Sequence, residues 1–462
     1  MTKNQPNHKI PDSGQTIFAL ATGSIPSAIA IIRISGPACS LIITNLTKRE
    51  KLPPARLARR QLLYKNKAEH TPQKQDIIDE ALVLWFPSPN SFTGEDMAEL
   101  HVHGSRAVIE MLYQELLRFP NTRIAEPGEF ARRAFYNSKL DLTSIEGLAD
   151  LLAAETQAQQ QQAIRQYQGE LGQLYDGWRQ KLIRLSAYLE AYIDFPDEEL
   201  PSTLTDQLKQ QLKDFELQLT NHLADAGRGQ KLRQGVQLTI VGPPNAGKSS
   251  LMNWLTRRET SIVSAIPGTT RDVIEAILNI GGIPVILSDT AGLRPTTDAI
   301  EQEGVRRAQE RAGQSDLNIF MLDVTHWPII PSDMAPMIKP ETIVLVNKID
   351  LMPPNVMNNY RTERTFFVSL KTNQGLQDFF KFLEHEVQKL AGLTEKPVLT
   401  RLRHRAALER CLQNIQHAQQ NMVIELKAED LRLAVRALGE ITGRVHIDEM
   451  LDVIFREFCI GK

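Results

Sequence analysis

The chain has 462 residues, 42% of them hydrophobic and 23% charged, with a formal net charge of −2. This is the composition of an ordinary soluble protein of roughly two to four domains, and it excludes a global excess of Lys and Arg, so any nucleic-acid contact must come from a local basic surface. Cys39, Cys411 and Cys459 lie far apart without a Cys-x-x-Cys pair, which argues against a disulfide scaffold or a structural zinc site and for a reducing cytosol. The polar N-terminus carries no apolar core behind a basic start, and no apolar run approaches the ~18 residues of a membrane span. The expectation is a cytoplasmic protein that is neither exported nor membrane-integral.

From residue 16 to about 139 the pattern is mixed: β-rich runs at 28–34 and 81–86, turn clusters (SGP, PSPNSFTG) and a helical stretch over 105–119 predict a small α+β domain. Leu171, Leu174, Trp178, Leu182, Leu185 and Leu189 then recur at spacings of three and four, the mark of one buried helix face. The Gln-rich stretch 157–162 reads as a solvated helix face. Pro196 and Pro201 interrupt the pattern, which resumes at Leu204, Leu208, Leu212, Phe215, Leu219 and Leu223 and is expected to stop at Gly227, a residue suited to a helix C-terminus. Next come VQLTIV, GIPVILS, LNIFMLDV and ETIVLVN, short apolar runs each followed by a loop, as in a parallel α/β sheet. Helical periodicity returns at Leu408, Leu412, Ile415 and Met422, at Leu431, Val435 and Leu438, and at Leu451, Ile454, Phe455 and Phe458. Helices on both sides suggest an α/β unit inserted into a helical domain, giving 1–139 (α+β), 140–235 (helical, first part), 236–374 (α/β) and 375–462 (helical, second part).

Gly242-Pro243-Pro244-Asn245-Ala246-Gly247-Lys248-Ser249 fits G-x-x-x-x-G-K-[ST] between a predicted strand and a helix, the setting of a phosphate-binding loop. Backbone N–H groups from Asn245 to Ser250 would cradle phosphates, Lys248 would reach the β and γ oxygens, and Ser249 would ligate Mg²⁺. Asp289-Thr290-Ala291-Gly292 follows a strand, where Asp289 can hold the Mg²⁺ shell and the Gly292 amide can sense the γ-phosphate. In Asn347-Lys348-Ile349-Asp350 the Asp350 carboxylate can accept from N1 and N2 of guanine, a donor pair that adenine lacks, so the nucleotide is read as GTP. Ser369-Leu370-Lys371 resembles the element whose backbone meets the guanine oxygen. Within Gly268-Thr269-Thr270-Arg271-Asp272, Thr270 is the switch threonine for Mg²⁺. Leu293 stands where a Ras-type GTPase has its water-positioning glutamine, so another polar group must do this work, and among Asp298, Glu301 and Glu303 Glu301 is the choice. Asn245 either helps ligate a monovalent cation or stabilises its loop.

Beyond these motifs, IIRISGP (31–37), FPSPNSFTGEDMAELHVHG (86–104), AEPGEFARRAFYNSKLDLTSIEGLADL (125–151), AYIDFPDE (191–198), GPPNAGKSSLMN (242–253), IPGTTRDV (266–273), SDTAGLR (288–294) and the terminal FCIGK give a chain that resembles the MnmE (TrmE) family of tRNA modification GTPases over essentially its whole length. The resemblance implies an N-terminal α+β domain for dimerisation and folate binding, an all-α helical domain, and a Ras-like P-loop GTPase domain inserted in it. It implies a homodimer that works on tRNA with the flavoprotein MnmG (GidA), in a heterotetramer, that partner using FAD and NADH. The product is an aminomethyl-type or carboxymethylaminomethyl group at C5 of the wobble uridine, with 5-formyl- or methylene-tetrahydrofolate as the one-carbon source. Matching positions assign the folate to Arg33, Glu99, Lys139 and Lys462; from the residues alone Arg33 and Lys139 read as solvated surface charges. The family's K⁺-dependent hydrolysis assigns K⁺ to Asn245, Ser264, Ile266 and Thr269 and the attacking water to Glu301. One departure is the loop 23–28 (Gly-Ser-Ile-Pro-Ser-Ala), where members carry Gly-Arg-Gly-Gly before the first strand.

Cys459-Ile460-Gly461-Lys462 has the shape of a prenylation box, but Lys is the wrong last residue and no polybasic run precedes it; Cys459 is either a thiol beside the folate pocket or a small packed residue. His101 and His103 share a strand face without a visible third metal ligand, so a structural role is expected. The rival functions are a regulatory or ribosome-assembly GTPase and a membrane-associated signalling GTPase.

Overall fold

The computed structural model describes residues 14–65, 76–194, 202–258, 275–288, 310, 312–330, 334–351, 362–392, 397–445, 454–455, 458 and 461. Two compact units divide the chain, one of residues 1–149, 166–181 and 435–462, the other of 150–165 and 182–434. Of the sequence features above, Pro196, Pro201, Leu451, Cys459, Lys462 and the stretches 259–274 and 289–309 lie outside the described residues.

The first unit opens with β1 (Thr16–Leu20), β2 (Ser27–Ser35), α1 (Cys39–Thr47), β3 (Arg59–Tyr64), β4 (Ile77–Phe86), β5 (Met97–Gly104), α2 (Arg106–Leu116), β6 (Thr122–Ile124) and α3 (Glu129–Tyr136). Its strands form one sheet in the order β3-β4-β5-β2-β1-β6, antiparallel except where β6 runs parallel to β1. Because β1 precedes it, the stretch 23–28 lies after the first strand and runs into the second at Ser27, rather than leading into the first. Alternation along β2 sends Ala30, Ile32 and Ile34 into a core with Ile42, Ile43 and Leu46 of α1 and Ile109, Leu112 and Leu116 of α2; each such aliphatic side chain stabilises the fold by roughly 1.5–3 kcal/mol. Arg33 therefore faces the opposite side, and the register sets it directly across from Glu99 of β5. The helix expected over 105–119 is α2, with Ser105 as its cap: the Ser105 hydroxyl accepts from the Val108 N–H at 3.2 Å.

Helices α4 (Leu142–Ala153), α5 (Gln157–Tyr167), α6 (Glu170–Asp194), α7 (Ser202–Ala224) and α8 (Ala226–Gln234) follow. The periodic Leu171, Trp178, Leu182, Leu185 and Leu189 of α6 are buried, with Tyr175 taking the buried place expected of Leu174. Gly227 does not end a helix: α7 stops at Ala224 and Gly227 lies inside α8, whose C-terminal residue is followed by Gly235 with φ +94°. The glycine at this helix end is Gly235, whose positive φ other residues rarely adopt.

The second sheet comprises β7 (Val236–Val241), β8 (Glu275–Ile280), β9 (Ile283–Ser288), β10 (Leu317–Asp323), β11 (Ile343–Asn347) and β12 (Thr365–Phe367) in the order β12-β11-β10-β7-β9-β8. The four expected strands β7, β9, β10 and β11 are parallel to their neighbours among themselves and to β12, and β8, not expected from the sequence, adds an antiparallel hairpin on β9. Both turn residues, Gly281 and Gly282, have positive φ, as a tight two-residue hairpin requires. Helix α9 (Lys248–Arg258) follows β7, and α10 (Leu376–Ala391) packs Leu376, Phe379, Leu383 and Val387 into the core that holds Leu238, Ile319 and Leu345. Helices α11 (Leu402–Gln420) and α12 (Ile424–Thr442) follow. Met422 departs from expectation: it follows α11 and is 94% exposed, the buried face being Leu408, Cys411, Ile415 and Ala418. The two crossings flanking this sheet meet one carboxylate, for Asp150 Oδ1 accepts from Arg233 Nε and from Arg401 Nη2, each at 2.8 Å.

On α7, His222 is pushed down to about 4, chiefly because burial penalises its charged form; Asp225 opposes the shift and His404 of α11 adds to it. An unfolded chain protonates the same ring near 6.5, so the unfolded state takes up the proton first as pH falls. The contribution to stability is therefore whole above 6.5 and declines towards 4. At pH 5 the loss is about 2 kcal/mol. Urea titrations of the protein and of His222→Gln at pH 7.5 and pH 5 should show a smaller acid-dependent drop in the variant; equal drops would contradict this assignment.

Candidate active site

The phosphate loop leaves the C-terminal end of β7 in a conformation that only its glycines permit. Gly242 has φ +145°, and a Cβ there would stand 2.1 Å from the Met321 carbonyl oxygen; at Gly247, φ +105°, it would stand 2.4 Å from Asn347 Nδ2. The loop is thus drawn against β10 and β11 as tightly as backbone allows. Asn245 is left-handed, with φ +62°, and exposed, and Ala246 is buried. Lys248 Nζ donates to the carbonyls of Gly242 and Pro243, each at 2.9 Å, so the ammonium lies over the loop's own rim. Ser249 and Ser250, both exposed, occupy the first turn of α9, where N–H groups point outward and favour anions.

Three more segments reach this end of the sheet. Asn347, 3% exposed at the end of β11, donates from Nδ2 to the Ala246 carbonyl at 3.0 Å and accepts at Oδ1 from the Leu370 N–H at 3.2 Å. Lys348 has φ +65°, and its Nζ donates to Asp323 Oδ2 at 2.5 Å. Burial alone would raise the Asp323 carboxyl, but hydrogen bonds from Lys348 and Thr325 outweigh it and hold the group below the usual carboxylate range. Asp350 lies in a short 3-10 turn, where its Oδ1 accepts from Ser369 Oγ at 2.6 Å. That bond is the main reason its carboxyl is lowered, with Lys371 and Lys348 adding to the effect. Asn245, Ala246, Gly247, Lys248, Ser249, Ser250, Asn347, Lys348, Asp350, Ser369 and Lys371 thus lie in or directly beside the loops on one rim of the β7-β10-β11-β12 sheet. Ser264, Ile266, Thr269, Thr270, Asp289, Thr290, Ala291, Gly292 and Glu301 lie outside the described residues. Asp323 was not singled out from the sequence; its signal was an acid ending a buried apolar strand.

Backbone N–H groups, a lysine and a serine hydroxyl on a glycine cradle suit phosphate oxygens and a hard cation such as Mg²⁺, which takes oxygen ligands and bridges phosphates. His101 Nε2 stands 3.3 Å from Glu99 Oε2, and His103 Nδ1 2.8 Å from Asp79 Oδ1.

In the first unit, a pocket of about 430 Å³ is lined by Arg33, Arg56, Phe86, Phe92, Met97 and Glu99, with Asn90, Ser91 and Leu148. Arg33 donates through Nε and Nη2 to Glu99 Oε1 at 3.2 and 3.0 Å and through Nη1 to the Gly461 carbonyl at 3.4 Å. Its guanidinium also faces the rings of Phe92 and Phe130 at 5.6 and 5.8 Å. The loop carrying Phe92 is pinned by buried Ser35, whose Oγ lies 2.7 Å from Thr93 Oγ1 and 2.8 Å from Glu95 Oε2, and by Arg133, which pairs with Glu95 at 2.9 Å. Lys139 is exposed beside Gly94 and does not line the pocket. Lys462 and Cys459 lie outside the described residues.

Residues 16–139 match the family model described as "GTP-binding protein TrmE N-terminus", and residues 142–459 match that of the "MnmE helical domain". A protein of Parvibaculum lavamentivorans named tRNA modification GTPase MnmE is 47% identical over 455 residues, covering 97% of this chain and 100% of the relative. The protein of the same name from Rickettsia prowazekii is 43% identical over 97% of this chain and 100% of the relative. The chain belongs to the MnmE family of tRNA modification GTPases. The N-terminal α+β sheet, the helices and the P-loop α/β sheet described above are this family's parts. Among solved structures, a variant of Aquifex aeolicus Era bound to GDP.AlF4− is 27% identical over 41% of this chain and 69% of that one, at a TM-score of 0.26; so low a score bears on neither fold nor function.

The Asn347 amide links two loops from the interior of the MnmE-type α/β unit, so Asn347→Ala leaves the Ala246 carbonyl and the Leu370 N–H without that partner. Urea unfolding of the variant should show a loss of about 1–3 kcal/mol, and nucleotide titration should show weakened GTP binding. A variant as stable as the parent, with unchanged affinity, would contradict the linking role.

Proposed function

We propose that this chain hydrolyses GTP to drive modification of the wobble uridine of certain tRNAs, acting as a homodimer in a heterotetramer with the FAD- and NADH-using flavoprotein MnmG. The observation that carries the reading is the convergence of the phosphate loop, Asn347, Asp350 and Ser369 on one sheet edge, in a chain that matches MnmE relatives over 97% of its length. Asp350, held ionised by Ser369, accepts from guanine N1 and N2. Lys248 leaves the loop carbonyls for the β and γ oxygens when phosphate arrives. Ser249 and Thr270, with Asp289 behind them, hold Mg²⁺; Asn245, Ser264, Ile266 and Thr269 hold K⁺. Bound, these cations supply positive charge at the phosphates as negative charge shifts towards the leaving group. Thr290, Ala291 and Gly292 follow the γ-phosphate, and Glu301 orients the attacking water in place of the glutamine that Leu293 displaces.

In the first unit, the pocket of Arg33 and Glu99 takes the tetrahydrofolate that supplies the one-carbon unit, with Lys139 and Lys462 as the further contacts that the family resemblance assigns. Ring-sized apolar walls around a few polar groups are what such a ligand needs. The domain division proposed is 1–139, 140–235, 236–374 and 375–462, in a cytoplasmic protein. No helix among the described residues is long and apolar enough to cross a membrane.

Mass spectrometry of tRNA nucleosides from cells lacking this chain, or carrying only Asp289→Asn, should show loss of the C5-substituted wobble uridine. The purified protein should turn over GTP faster in KCl than in NaCl. Unchanged nucleosides would favour a regulatory or ribosome-assembly GTPase, and equal rates would remove the K⁺ site.

A further inference from the structure

Arg56 lines the same pocket as Arg33 and Glu99, yet no sequence pattern singled it out. It sits in the turn Pro54-Ala55-Arg56-Leu57, closed by the Leu57 N–H donating to the Pro54 carbonyl at 3.2 Å. Arg56 has φ +61° whereas Ala55 is not in the left-handed region, which makes this a type II turn with arginine at the position that favours glycine. The Arg56 N–H donates to the Trp85 carbonyl at 2.8 Å and its Nη2 to the Asn90 carbonyl at 3.0 Å, so the strained residue is held from both ends. Glycine would serve the turn better, so the turn does not account for the arginine; its side chain must.

The charges lining the pocket are two guanidiniums and one carboxylate. Arg33 is balanced by Glu99 through two hydrogen bonds to one oxygen. The Arg56 guanidinium meets a neutral carbonyl, and the walls between are aromatic and apolar, from Phe86, Phe92 and Met97. Such a pocket suits a flat ring system ending in an anion.

We propose that Arg56 binds the glutamyl carboxylate of the folate, while Arg33 and Glu99 form a neutral pair that frames the ring end. This rests on the folate reading of the pocket and adds Arg56 to the residues that the family resemblance assigns to the folate. The test uses the full chain, titrated with 5-formyl-tetrahydrofolate and with the same compound after both glutamyl carboxylates are converted to amides. The parent protein should prefer the acid about tenfold or more, the scale of one charge-assisted hydrogen bond. Arg56→Gly should lose that preference with a melting temperature no lower than the parent's, because glycine relieves the turn, and Arg56→Lys should recover part of it. Full preference retained by Arg56→Gly overturns the role of Arg56 while leaving the folate reading in place. A parent protein that binds neither compound overturns the folate reading and this proposal together.

Discussion

One buried amide joins the two halves of the nucleotide site. Asn347 donates to the phosphate loop at Ala246 and accepts from the base loop at Leu370, and Gly247 is glycine because a Cβ would collide with that same amide. The distance between the phosphate loop and the loop of Leu370 is therefore set inside the protein, by an interior side chain whose unmet hydrogen bonds would be costly. Lys348 and Asp350, flanking this fixed point, are then oriented by Asp323 and Ser369. Parallel strands make the arrangement possible, since β7, β10, β11 and β12 all deliver their following loops to one edge of the sheet.

The N-terminal unit solves a different problem with similar means. Strand alternation gives one face of β2 to the core and leaves Arg33 on the other, where antiparallel register supplies Glu99. A charged pair that is 19% and 15% exposed at its side chains would be a weak device for stability alone, since desolvation offsets much of the attraction. Its value is geometric: the pair, the Phe92 loop fastened to Ser35 and Arg133, and the strained turn of Arg56 fix the walls of one pocket.

Much of the second sheet could be read directly, because buried parallel strands are uninterrupted apolar runs; VQLTIV, GIPVILS, LNIFMLDV and ETIVLVN all became strands. The edge strands β8 and β12 escaped notice, the one interrupted by Glu275 and Asn279 and the other only three residues long, although Gly281-Gly282 carried the hairpin signal. Met422 and Gly227 were misread for one reason: periodicity counts residues and does not register where a helix has already ended or begun again. The phosphate and base loops could be picked out because the spacing of their motifs is local. The pairing of Arg33 with Glu99 could not, its partner lying 66 residues away, nor could the turn at Arg56, whose signal is a backbone angle.

The central claim is that a single carboxylate, held by Ser369 on a frame set by Asn347, selects guanine. Guanine offers N1 and N2 donors to Asp350, whereas xanthine presents a carbonyl oxygen at position 2, which suits the donor of an amide. Equilibrium binding of GTP, ATP and XTP in the presence of Mg²⁺, to the protein and to Asp350→Asn, measures this directly. The parent should bind GTP far more tightly than ATP, and the variant should turn from GTP to XTP. A parent that favours ATP, or a variant that holds GTP as before, would contradict it.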